Sequence, residues 1–315
     1  MRASLCIWLL ACSCAATEVV TLNRDTGDGP RILCVFAHPD DETTVAGAVY
    51  KTATFLEGTV DMFLITNGEG GFKYSTLAER MYGLDLTDED VGREHLPRIR
   101  RDEMLAGCEI LGVHQVHFLE ETDHRYTQDP LEVLGEGAEV WDLDRISGEL
   151  DRLLEDGDYD FVLTMVATPT THGHHQAATI LAARAVERMD EERRPALLGA
   201  AVETEDRGIP VAPLALPGFP ETAVIGGKAL YFDRTQPFGH KDRLDYRVLV
   251  NFVIAQHRSQ GTMQLAMSRG LREHYFVFTV SSPGSAQRAA EWLDALAQPQ
   301  FPVVEYGESA GTNAR

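Results

Sequence analysis

The chain has 315 residues, 44% of them in the broad hydrophobic class, enough to bury one substantial core. Its 28 basic residues stand against 49 acidic ones, a formal net charge of -21. Such a field repels phosphate backbones and anionic membranes at long range, which argues against a nucleic-acid partner.

Arg2, an apolar run over 5–11 and the small pair Ala15-Ala16 read as an export signal, so residues 1–30 are expected to be signal and short linker. The run is too short to cross a membrane as a helix, and no transmembrane domain is expected. Leu9-Leu10-Ala11-Cys12 also has the form of a lipoprotein processing site, which leaves a lipid anchor at Cys12 open beside ordinary cleavage. The expected address is therefore exported: periplasmic or secreted, or held at a membrane as a lipoprotein. Of the five cysteines only Cys34 and Cys108 fall in the main body, where they read as buried small hydrophobes rather than a disulfide framework.

Gly27, Gly29 and Pro30 break the approach to the first regular element. The apolar Ile32-Leu33-Cys34-Val35-Phe36 predicts a buried strand over 31–37, followed by a helix over 43–56 and a strand over 60–66. A charged, mobile segment is expected over 72–90. A helix over 96–111 comes next, with Pro97 tolerated in its first turn and Gly112 stopping it. A strand over 113–119 and a loop over 120–140 lead to an amphipathic helix over 143–154, where Leu143, Ile146, Leu150, Leu153 and Leu154 recur at helical spacing. A strand over 161–166 and a helix over 176–189 complete the regular part. Further strands are expected over 223–232 and 275–280, and helices over 242–257 and 289–297.

This alternation predicts an α/β fold, a Rossmann-like, mostly parallel sheet flanked by helices. A single domain is expected over 31–300, with a variable region at about 203–246 and a flexible tail over 301–315. Ligands in such sheets bind outside the carboxyl ends of the strands.

Two polar clusters fall at those ends. Ala37-His38-Pro39-Asp40-Asp41-Glu42 follows the first strand, and Thr171-His172-Gly173-His174-His175 follows the strand over 161–166. His38 and Asp41, three residues apart in a strand-to-helix turn, can grip one ion, and His175 can add a third ligand. Two imidazoles, a carboxylate and a water are the usual make-up of a catalytic zinc centre. Iron or another divalent ion suits the same donors. Zinc activates a water and polarises a carbonyl. Asp40 is placed to take the water's proton, and His172 to stabilise a developing oxyanion and donate a proton to the leaving amine. The plainer readings are that the acidic run caps the next helix and that the histidines form a polar loop. Their coincidence in one sheet favours a metal site.

The first cluster resembles the signature of the PIG-L/LmbE family of zinc-dependent N-deacetylases. The second is similar to the family's His-Pro-Asp-His, with Gly173-His174 in place of Pro-Asp. Thr66-Asn67-Gly68-Glu69-Gly70, Arg100-Arg101-Asp102-Glu103 and His257-Arg258-Ser259-Gln260 resemble further family segments, so the likeness spans about 31–260. It implies an LmbE-like fold with zinc on His38, Asp41 and His175, Asp40 as general base, and His172 supporting the tetrahedral intermediate. It also implies Arg100 and Asp123 as substrate-binding residues, Glu103 as the partner of Arg100, and His174 and His257 as site-supporting. The implied reaction removes the acetyl group of an N-acetylglucosamine-type sugar or glycoconjugate. Two readings stay open beside it: an amidase for another acyl group or a non-sugar amide, and a non-catalytic metal- or glycan-binding protein. The second draws on His174, which stands where the family has aspartate. Oligomeric state is not legible in the sequence.

Overall fold

The computed structural model describes residues 17–227 and 230–300; the expected export signal up to residue 16, Cys12 and the tail over 301–315 lie outside the described residues. Ten strands are present among them: β1 (Glu18–Thr21), β2 (Arg31–Phe36), β3 (Thr59–Thr66), β4 (Gln115–Glu121), β5 (Phe161–Met165), β6 (Ala196–Thr204), β7 (Leu230–Asp233), β8 (Pro237–Phe238), β9 (Leu244–Asp245) and β10 (Gly270–Val277). The helices are α1 (Ala46–Thr54), α2 (Thr76–Tyr82), α3 (Glu89–Leu111), α4 (Leu131–Leu134), α5 (Leu143–Asp156), α6 (Gly173–Arg188), α7 (Tyr246–Ile254) and α8 (Ser285–Leu296). No helix among the described residues is long and apolar enough to cross a membrane.

Eight strands form one sheet in the order β1-β4-β3-β2-β5-β6-β10-β7, and β8 and β9 pair separately. The five central strands from β4 to β6 run parallel. β1 is antiparallel at one edge; at the other, β10 runs antiparallel to β6, and β7 pairs antiparallel with β10 and so runs with the central strands. The chain builds outward from β2 through β3 to β4, then returns to the other side of β2 with β5. The crevice beyond β2 and β5 is thus the topological switch point, where such sheets bind ligands.

Alternation along β2 divides the interior into two layers, as the period of two in a strand requires. Ile32, Cys34 and Phe36 enter one core with Val49, Met104, Val253 and Trp292. Leu33, Val35 and Ala37 enter the other with Ile146, Leu150, Ala178 and Leu181. Cys34 and Cys108 share the first core as free thiols.

Several expectations are corrected. β1 extends the sheet upstream of the first expected strand. The segment over 72–90 is ordered into a 3-10 turn and α2, because Phe72, Ala78 and Leu86 bury themselves against Leu96 and Ile99. α3 starts at Glu89, where the Asp88 side chain accepts the Val91 N–H, so Pro97 lies well inside the helix rather than in its first turn. Burial of Leu96 and Ile99 outweighs the lost hydrogen bond. β6 was unforeseen: its alanines and glycine carry weak strand propensity, but β5 and β10 pair it on both sides. The strand over 223–232 reduces to β7 and a single bridge between Val224 and Phe278.

Candidate active site

The end of β2 is fixed by Thr66, whose N–H and hydroxyl both donate to the Ala37 carbonyl, at 2.9 and 2.7 Å. Asp41 folds back so that its Oδ2 accepts the N–H groups of Ala37 and His38, at 3.1 and 3.0 Å. Its Oδ1 is left 3.1 Å from Nε2 of His175, in the first turn of α6. Nδ1 of His38 lies 2.9 Å from the same nitrogen. Donor atoms bonded at 2.0–2.1 Å around a tetrahedral zinc sit about 3.3 Å apart, so His38, Asp41 and His175 fit one ion of that kind. Burial alone would raise the Asp41 carboxyl, but the charge and hydrogen bond of His175 hold it well below the usual carboxylate range. Burial keeps His38 neutral by pushing it well below the ordinary histidine value.

Asp40 adopts φ 122, a conformation side chains other than glycine rarely take. The strain is held on every side. Its N–H donates to Glu42 Oε2 at 3.1 Å, and its carbonyl accepts the Thr43 hydroxyl at 2.7 Å. Glu42 is in turn hydrogen-bonded to His257, and both are fully buried. Arg100, 2% exposed, donates to the carbonyls of Gly68 and Pro39 and pairs with Asp40 Oδ2 at 3.1 Å. Gly68 has φ 70, and a Cβ there would overlap the guanidinium, so glycine is required. Burial pushes the Asp40 carboxyl up to about 6, against the pull of Arg100 and with a further push from Asp41.

The structure brings together His38, Asp40, Asp41, Arg100, Asp123, His172 and His175 around one cavity of about 300 Å³. His174 lies beneath it, with Nδ1 3.3 Å from Asp123 Oδ1. His257 stays behind the wall and acts through Glu42. Arg100 lines the cavity, but Glu103 is not its partner. Glu103 instead accepts the N–H and hydroxyl of Ser259, at 2.9 and 2.6 Å, and the Tyr82 hydroxyl at 2.9 Å. Tyr74 and Tyr126 reach the cavity, whereas Phe118 is buried in the core.

His172 caps α6: its Nδ1 accepts the His174 N–H at 3.0 Å, which leaves the ring proton on Nε2. Burial, then the neighbouring rings of His174 and His175, push it down to about 4, so it is a neutral donor.

Two residues that sequence reasoning passed over hold the first motif from behind. Glu273 in β10 accepts the N–H groups of Gly47 and Ala48 at the start of α1, at 2.7 and 3.1 Å, along with the Tyr275 hydroxyl at 2.8 Å. Arg234 donates to Glu273 at 2.8 Å and to the carbonyls of Thr43 and Thr44, at 2.6 and 3.0 Å. The sequence offers little signal for them, because Glu273 stands between Arg272 and His274 in β10 and so does not read as a buried residue.

Glu69 lies under Asp123, whose N–H it accepts at 3.1 Å; its Oε2 is buried without a partner. Burial pushes its carboxyl up to about 7 from 4.5. The folded protein therefore keeps a proton between those values that the unfolded chain has lost. Stability is full below about pH 4.5 and falls as pH rises through about 7. One pKa unit is worth about 1.4 kcal/mol, so the loss is on the order of 3 kcal/mol at most. Urea midpoints at pH 5 and 8 should converge in Glu69→Gln relative to the parent protein; an unaltered gap would acquit Glu69.

The family model described as PIG-L, GlcNAc-PI de-N-acetylase, matches residues 33–186. A probable N-acetyl-alpha-D-glucosaminyl L-malate deacetylase of Bacillus cereus is 25% identical over 171 residues, which is 54% of this chain and 67% of that protein. The mycothiol S-conjugate amidase of Streptomyces coelicolor is 35% identical over 127 residues; the chain spans only 40% of its length, and the match covers 40% of this chain. Among solved structures, an antimicrobial pseudoaglycone deacetylase superposes with a TM-score of 0.50 at 20% identity, covering 81% of this chain and 99% of that one. A deacetylase of the teicoplanin biosynthetic pathway gives 0.50 at 18% identity, covering 79% and 98%. At these identities the two structures speak to the fold, which matches the mixed, mostly parallel sheet described above.

Proposed function

The chain carries a PIG-L/LmbE-family domain, and from that premise we propose that it is a zinc-dependent amide hydrolase acting on the N-acetyl group of an N-acetylglucosamine-type sugar or glycoconjugate. The observation that carries the reading is the convergence of His38 Nδ1, Asp41 Oδ1 and His175 Nε2 beside the half-buried Asp40 carboxylate and a neutral imidazole donor.

A divalent ion held by those three residues would supply Lewis acidity, lowering the pKa of a water and polarising an amide carbonyl. Asp40 accepts the proton of the attacking water, with Arg100 holding its Oδ2 in place. His172 donates its Nε2–H to the amide oxygen as charge grows there. The proton on Asp40 passes to the leaving nitrogen, the C–N bond breaks, and acetate and a free amine depart. Asp123 offers carboxylate oxygens to sugar hydroxyls, and Tyr74 and Tyr126 offer faces for a sugar ring. The expected export address adds that the substrate is a cell-envelope or external glycan.

Purified protein should release acetate from a panel of N-acetylglucosamine conjugates, stop when a chelator strips the metal, and resume when zinc is restored. Folded, metal-loaded protein that releases nothing would overturn the N-acetylglucosamine reading; release of another acyl group in the same panel would move the assignment to other amides.

A further inference from the structure

Two imidazoles and a carboxylate stand in line behind His38 of the metal triad. While Nδ1 of His38 faces Asp41 and His175, its Nε2 lies 3.2 Å from His174 Nδ1. Nε2 of His174 lies 3.0 Å from His124 Nδ1, and Nε2 of His124 lies 2.9 Å from Glu132 Oε2 in α4. Arg125 Nε donates to that same oxygen at 2.9 Å.

The direction of this line follows from counting protons. There are three gaps, and a single N–H on each of the three imidazoles is enough to fill them. An ionised carboxylate only accepts, so His124 must carry its proton on Nε2. Its Nδ1 then accepts from His174 Nε2–H, and His174 Nδ1 accepts from His38 Nε2–H. Every gap is filled with no extra proton, and the Nδ1 lone pair of His38 is left facing Asp41 and His175; the cost is that His174 Nδ1 also faces Asp123 Oδ1, lone pair to lone pair, at 3.3 Å, slightly the longer of its two contacts. The opposite direction would set a lone pair of His124 against Glu132 and place a proton on the very nitrogen that must bind an ion. His174 is fully buried with its ring against Trp141 at 5.1 Å, so the middle of the line is rigid.

We propose that Glu132, His124 and His174 form a hydrogen-bonded wire that fixes the tautomer and ring orientation of the metal ligand His38. This rests on the metal reading above, and the three act as positioning residues. Partners of this kind, when removed, typically cost a metal site 10- to 100-fold in affinity.

The test uses the full chain, with zinc affinity measured by competition with a chromogenic chelator and histidine tautomers read by ¹⁵N NMR on metal-free protein. His174→Leu and His124→Leu should each weaken zinc binding by about 10- to 100-fold. Glu132→Leu should weaken it less and mix the His38 tautomers, and Glu132→Gln, which keeps an acceptor oxygen, should restore both readouts. Zinc affinity within twofold of the parent protein in both leucine variants at 124 and 174, with His38 still protonated on Nε2, would overturn the wire. So would two zinc ions per chain falling to one in His174→Leu, because His38, Asp123, His172 and His174 also bring donor atoms together, and an ion there would occupy the gap that needs a proton. If the parent protein binds no zinc, the metal reading fails, and the wire is then judged by the tautomers: Nε2-protonated His38 that becomes mixed in Glu132→Leu upholds it, and an unaltered ring overturns it.

Discussion

Asp40→Asn is expected to lower kcat by about 10²- to 10⁴-fold, the usual worth of a positioned general base, with zinc affinity within a few-fold of the parent protein. Asparagine is a fair probe because it is among the few side chains that tolerate a positive φ, and φ at this position is 122. It can also present an oxygen to Arg100 Nη2, now 3.1 Å from the carboxylate. What it cannot do is take a proton from water. Acetate release in steady state, with circular dichroism and zinc titration as checks on the fold, decides the matter. A fall of less than tenfold would remove Asp40 from the proton transfer.

The second large effect concerns stability. Glu273→Ala is expected to cost about 3–5 kcal/mol, the range found when one partner of a buried ion pair is removed. The carboxylate is fully buried and receives two backbone N–H groups of α1, Arg234 and the Tyr275 hydroxyl. Truncation leaves the Arg234 charge and two helix-start donors without a partner in the interior. Glu273→Gln, which keeps the shape and one acceptor, should lose less. Urea unfolding at fixed pH reads both. A loss below 1 kcal/mol for the alanine variant would mean that water or a shifted Arg234 takes over the role.

The parts of the fold legible in the sequence were those whose signal is local. The apolar run before His38 and the run over 161–166 each announce a buried strand, and the polar residues at their ends lie where a parallel sheet collects ligands. His38, Asp41 and His175 could therefore be grouped across 137 positions. What stayed hidden depends on partners rather than on pattern. Alanine-rich β6 is a strand because two neighbours pair it. The segment over 72–90 reads as charged, yet Phe72, Ala78 and Leu86 are enough to seat it. Arg100 and Glu103 are three apart on one helix, which suggests a pair; their side chains diverge to Asp40 and Ser259 because each finds a better-satisfied buried site. His124 and Glu132 fall in a stretch with little regular structure, where nothing in the spacing points toward His174.

The clamp from β10 has a consequence for the order of events during synthesis. Glu273 and Gly47 are 226 positions apart, so the start of α1, just after the turn that carries His38, Asp40 and Asp41, lacks this clamp until the last stretch of the chain arrives. A polypeptide ending near residue 260 would hold every donor atom of the triad and still lack the carboxylate that pins the helix behind them. Closing so long a loop is slow compared with local helix formation. The arrangement of His38, Asp41 and His175 is thereby completed only when the whole domain has folded, and a chain still being made would carry those donors without the clamp behind them.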